Sequence, residues 1–335
     1  MSKHLPNLCI IIIALAAVAF LPQAGRAENP PQYLSQWGSN GTGDGQFIFA
    51  DGIAVYGSYA YVIDLYNRVQ KFTTDGTYIL KWGQEGPNGN AEGQFSGASG
   101  ITVDGAGNVY VADMGNHRVQ KFDASGVFIT LWGSRGSATG QFNYCYDIQY
   151  SAFNSLLYVS DQFNGRVQVF NVMGTFQYAW GSVGTGDAQF NIIFGIGIDP
   201  RNGNVFTVER NSANIVRVQK FTSTGTFLKK WGSGGTGPGE FNFPIKIAVG
   251  LDGTVYVTET NSDRVQMFTD EGVYLGQWGT HGSGPGQFNM PYGIALDESG
   301  CVYVTDHYNQ RVQKFGPAVV SAKTTTWGRV KALYR

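Results

Sequence analysis

Short runs of alternating apolar and polar residues, broken by glycine, asparagine or aspartate, recur from Tyr33 to Phe315. A period of two places successive side chains on opposite faces of a strand. The stretch from Gly93 to Gly133 shows the unit. A glycine-rich entry loop leads to GITVD (Gly100–Asp104), a Gly-Asn turn and VYVAD (Val109–Asp113). The loop Met114–His117 then leads to RVQKF (Arg118–Phe122), an Asp-x-x-Gly turn and a run ending at Trp132-Gly133. These runs read as four antiparallel strands joined by hairpins. Beyond residue 27 no long stretch keeps the 3.6-residue apolar spacing of a helix.

The unit repeats in register. RVQKF or a close variant stands at Arg68–Phe72, Arg118–Phe122, Arg166–Phe170, Arg217–Phe221, Arg264–Phe268 and Arg311–Phe315. Successive starts lie 50, 48, 51, 47 and 47 residues apart. Trp82, Trp132, Trp180, Trp231 and Trp278 each follow the final Phe of their copy by ten residues and precede glycine. Four strands per repeat is one propeller blade, so the expected fold is an all-β, six-bladed β-propeller of four-stranded antiparallel blades. YLSQWG (Tyr33–Gly38) nearly duplicates the fourth-strand segment YLGQWG (Tyr274–Gly279). The N-terminal strand is therefore expected to complete the last blade and remove an open sheet edge. Trp327-Gly328 offers a competing closure, two residues late and after a threonine run.

Blades of the form G-I-x-V-D, V-Y-V-x-D, N-x-R-V-Q-K-F and W-G resemble NHL repeats, and the resemblance covers residues 33–315. It implies the propeller but no single activity, because NHL propellers serve as enzymes, RNA-binding proteins, sensor domains and ligase scaffolds. No Trp-Asp dipeptide marks WD blades, and no recurring glycine pair marks kelch blades.

Composition agrees with many turns and short strands: 47 glycines, 14% aromatic and 14% charged residues. Residues 1–27 read as a cleaved signal peptide, with Lys3 and His4 before the apolar run Leu8–Phe20 and small residues Gly25 and Ala27 before Glu28. An uncleaved anchor is the alternative, but the run is short for the roughly 20 residues of a spanning helix. Residues 28–315 then form the propeller and 316–335 a basic tail. Without Lys3 and Arg26, 21 basic residues face 24 acids, a formal charge of −3. That charge argues against nucleic-acid partners. Cys145 and Cys301 fall in the third and sixth repeats, on opposite sides of a ring, and are expected to be free and buried.

Each repeat carries an acid at the end of its second strand and an arginine at the start of its third. The pairs are Asp64 with Arg68, Asp113 with Arg118, Asp161 with Arg166, Glu209 with Arg217, Glu259 with Arg264, and Asp306 with Arg311. An acid ring alone suggests a cation site. Matched by six guanidiniums, it reads as structural ion pairs fixing the loop between the two strands. The tryptophans read as packing between blades. The GxGxGQF stretches lead into strands rather than helices, which makes them connectors and not phosphate loops.

The positions that differ between blades carry the functional reading. Loops between second and third strands share one face with the segments entering the first strands. Tyr66, Met114, Tyr146, Phe163, Phe194, Arg210, Tyr292, His307 and Tyr308 make that face aromatic. These aromatics either present a binding surface or plug the channel. The leading reading is an exported, non-enzymatic, monomeric interaction module, secreted, periplasmic or at the cell surface. Its partner would be a protein, peptide or carbohydrate outside the cytoplasm. The alternative is a channel-centred lyase or hydrolase, as in similar secreted propellers, with Asp51, Asp147, Lys246 and His307 as its polar groups. No metal site or cofactor is predicted; calcium or zinc would serve the metal-dependent version. Only His117, His281 and His307 follow the signal, and zinc catalysis usually takes three protein ligands. The tail, with Lys323, Arg329, Lys331 and Arg335, is either a frayed terminus or an attachment signal.

Overall fold

A computed structural model describes residues 29–210 and 216–317. The segment expected to be a signal peptide, Trp327 and all but the first two residues of the basic tail lie outside the described residues. The chain forms six four-stranded antiparallel sheets arranged as the blades of a propeller. First strands line the axis: Ala50–Tyr56, Gly100–Val103, Cys145–Ser151, Ile192–Ile198, Pro244–Val249 and Pro291–Leu296. Fourth strands form the rim. In the sixth blade that place is taken by Tyr33–Trp37, which pairs with Arg311–Phe315 through Ser35 opposite Lys314 and Trp37 opposite Val312. The first strand of the chain thus closes the ring, and the fourth-strand position that Trp327 would fill is occupied.

The repeated residues hold blade to blade. Each rim tryptophan packs on the RVQKF phenylalanine of the next blade: Trp82 on Phe122, Trp180 on Phe221 and Trp37 on Phe72, with ring centres 5.8–6.0 Å apart. The hairpin before the next blade's fourth strand lies flat against the same indole. A Cβ on Gly126, whose φ is +84°, would come within 2.7 Å of the Trp82 ring, so this turn accepts only glycine. The lysine of RVQKF spans the same interface, as where Lys71 Nζ donates to Ala124 O at 2.9 Å. Cys145 and Cys301 are buried and free.

All six acid–arginine pairs form. Arginine Nε donates to the acid at 2.6–2.7 Å in blades two to six, and Arg68 Nη2 lies 3.0 Å from Asp64. Each guanidinium also reaches carbonyls of its own entry loop, such as Arg264 Nη2 to Glu240 O at 2.9 Å. The glutamine of RVQ joins them: Gln120 Nε2 donates to Asp113 and to Gln94 O, while its Oε1 accepts from Gly93 N–H. Acid, arginine and glutamine thus satisfy polar backbone groups of a glycine-rich connector that otherwise pairs only briefly with itself, as where Ser182–Val183 runs beside Gln189–Phe190.

Candidate functional site

The channel axis crosses two rings of six residues, one from each first strand. The upper ring, under the loop face, holds Asp51, Ser99, Tyr146, Phe194, Ile245 and Tyr292. Tyr146, Phe194 and Ile245 form one buried apolar cluster against which Met114, Phe243 and Tyr292 pack. The Tyr146 and Tyr292 rings reach across the axis and hydrogen-bond hydroxyl to hydroxyl, with Ser99 beside both. Burial raises both phenol pKa values well above the ordinary range. This end of the channel is closed by side chains.

The ring beneath holds Gly52, Gly100, Asp147, Gly195, Lys246 and Gly293. Its glycines are imposed by crowding: a Cβ on Gly52 would stand 2.1 Å from Ser99 O, and one on Gly293 2.3 Å from Asp51 O. Only Asp147 and Lys246 extend side chains here, and they pair at 2.7 Å while almost wholly buried. Asp147 Oδ2 also accepts the Ile196 N–H at 2.9 Å, and Lys246 Nζ sits 4.9 Å from the centre of the Tyr146 ring. Asp51 is buried with Oδ1 unpartnered. Burial pushes its carboxyl up to about 8, against the pull of Lys246 and with the push of Asp147. Asp51 is therefore mostly protonated at neutral pH, and the three groups together carry almost no net charge.

His307 stands one layer out. Its Nδ1 lies 3.1 Å from Ala50 O, which can only accept, so the ring proton is on Nδ1. It stacks on Phe49 and Tyr292, with ring centres 5.1 and 5.3 Å away, and burial lowers its pKa. Asp51, Asp147 and Lys246 converge, whereas His307 lies outside that group, bonded to Ala50 O and stacked on Tyr292. His117 is buried and accepts the Tyr144 N–H at Nδ1, whereas exposed His281 pairs with Asp263 at 3.0 Å. Among the described residues no three His, Cys, Asp or Glu side chains gather as metal ligands.

The residues read as a loop-face surface separate into two sets. Tyr146, Phe194 and His307 are buried, so the inner aromatics plug the channel instead of facing solvent. Tyr66, Met114, Arg210 and Tyr292 are half-buried, and Phe163 and Tyr308 are exposed at 46% and 49%.

Sequence reasoning missed the residue just before each first strand. Phe49, Tyr144, Phe243 and Met290 hold φ of +59°, +66°, +63° and +59°, left-handed backbone that costs a bulky side chain about 1–3 kcal/mol. Neighbouring blades hold three of them there. Phe49 N–H donates to Gln310 Oε1, Tyr144 N–H to His117 and Met290 N–H to Asp263, the last at 2.7 Å. Their side chains build a rim around the plug. Phe49 meets Tyr308, Tyr144 meets Phe163, and Phe243 lies 3.3 Å under the Arg210 guanidinium. The available signal was the recurrence of Phe49, Tyr144, Phe243 and Met290 two residues after the QF or EF phenylalanine, where the second blade has Gly97.

A six-bladed, four-stranded propeller with this blade grammar defines the class. Residues 95–122 and 288–315, in the second and sixth blades, match the NHL repeat, and the six-bladed fold agrees with that match. No curated protein sequence matches this chain. Among solved structures, a gluconolactonase from Xanthomonas campestris is 12% identical, with 87% of this chain and 99% of that one covered at a TM-score of 0.59. A streptogramin B lyase is 15% identical, covering 84% and 96% at 0.57. A protein of unknown function from Bacteroides thetaiotaomicron is 20% identical, covering 84% and 76% at 0.62. At these identities the likeness is one of fold.

Proposed function

We propose that this chain is an exported, non-enzymatic binding module whose loop face recognises a peptide, protein or carbohydrate outside the cytoplasm. The observation that carries this reading is the aromatic rim. Bulky side chains are held in left-handed backbone by hydrogen bonds from adjacent blades, which fixes their direction before a partner arrives. Strain retained at one repeated position, with exposed Phe163 and Tyr308 beside it, is what a preorganised recognition surface needs. Flat aromatic faces with a guanidinium suit the apolar face of a sugar or an aromatic peptide side chain. Among the described residues no helix is long and apolar enough to cross a membrane.

The test is a glycan and peptide array probed with the purified chain and with Phe163→Ala and Tyr308→Ala. Binding lost in both variants at unchanged melting temperature is the expected result. Ligands retained by both variants would sink the proposal.

One observation favours a second reading, a channel-centred lyase or hydrolase: Asp51 is a mostly protonated acid beside the Asp147–Lys246 pair. Its test is turnover of lactone or ester substrates, abolished by Asp51→Asn.

A further inference from the structure

The end of the channel opposite the loop face is open. There the turns between first and second strands surround a funnel of about 340 Å³, within the size range of small-molecule sites. Its walls are largely aliphatic, including Ile53, Ile101, Ile247 and Ile294. Exposed apolar residues continue the surface outward at the mouth, with Tyr56 at 38% and Leu251 at 58%. Deeper, the funnel narrows to a throat of about 10 Å³, the room of one water, which ends on Asp147 and Lys246.

Gln149 lines both the funnel and the throat, and its side-chain amide has no hydrogen-bond partner among the described residues. Lys246 spends one N–H on Asp147 and has two left. The floor therefore offers unspent donors and an acceptor without a free charge, because Lys246 is neutralised 2.7 Å away by Asp147. A charged ligand end would lose its hydration there and gain no counter-ion. A neutral hydroxyl or amide would pair with Gln149, which lines both the funnel and the throat.

We infer that the open half of the channel is a binding site for a small, neutral, apolar molecule with one hydrogen-bonding end, inserted end-first toward Gln149. The site is separate from the aromatic rim and does not depend on it.

Calorimetric titration of the whole purified chain with 1-octanol, octylammonium and octanoate tests this. Octanol should bind at one per chain, and both ions at least about tenfold more weakly. Gln149→Trp, which places a ring in the funnel, should abolish octanol binding. Gln149→Leu, which keeps the apolar walls, should weaken it about tenfold, the worth of one hydrogen bond. Phe163→Ala, at the other end, should leave it unchanged. Circular dichroism and melting temperature confirm that each variant is folded. No octanol binding to the unmodified chain, equal binding of either ion, or binding that survives Gln149→Trp would overturn the inference.

Discussion

The ring of acids, arginines and glutamines near the loop face and the rings of residues on the axis both repeat once per blade, yet they behave oppositely. The first is six times the same, down to ion pairs between 2.6 and 3.0 Å. The second holds four glycines, one aspartate and one lysine, below a ring of aspartate, serine, isoleucine and three aromatics. The difference follows from what each position must satisfy. Every blade has the same kind of glycine-rich connector to pin, so the same three side chains recur. The axis is shared by all blades, and one side chain that crosses it removes the room for the others. Repetition marks the scaffold, and departure from repetition marks the part that makes this propeller individual.

Breaking one scaffold pair should have the largest effect. Arg264→Met leaves Glu259 buried without its counter-charge and releases the entry-loop carbonyls. The expected loss is about 3–5 kcal/mol of unfolding free energy, measured by denaturant titration. A loss below about 1 kcal/mol would mean that the ring is ornamental.

On the axis, Lys246→Met should cost about 3 kcal/mol by stranding Asp147. Here the comparison sharpens, because the double variant with Asp147→Leu should recover most of that loss. The axial pair serves one backbone group, the Ile196 N–H on Asp147, where each scaffold arginine serves entry-loop carbonyls, so apolar replacement of both partners costs little more than that one hydrogen bond. Failure to recover would place the pair in the scaffold.

The pH dependence is a smaller effect. Asp51 has a folded pKa raised from 3.8 to about 8, so between those values the folded chain binds more protons than the unfolded one. Its contribution to stability is full at low pH and declines as pH rises through this window. His117 and His307 have lowered pKa values and act in the other direction, losing stability as pH falls through their unfolded value of 6.5. Asp51→Asn should therefore flatten the decline between pH 5 and 8 without altering the acid side. Unfolding curves at several pH values check this, and an unchanged slope would show that Asp51 is solvated.

The smallest effect on stability belongs to Phe163→Ala and Tyr308→Ala, expected within about 0.5 kcal/mol because both side chains are largely exposed. A much larger loss would move the rim from recognition to packing.

What the chain revealed and what it withheld divide along the same line. Periodicity was enough for blade number, strand order and the pairing of Tyr33–Trp37 with Arg311–Phe315, because hairpins and their register depend on local alternation and turn residues. The acid–arginine spacing could be read for the same reason, since both partners flank one short loop. Burial of Tyr146, Phe194 and His307 was not legible, because those residues meet only when distant blades converge on the axis. Nor could alternation reveal that Phe49, Tyr144, Phe243 and Met290 turn left-handed, since the hydrogen bonds holding three of them there come from the preceding blade. The funnel beside Gln149 is likewise a property of six strands packed at once: local chemistry writes the blade, and only ring closure decides which end of the channel is filled and which stays open.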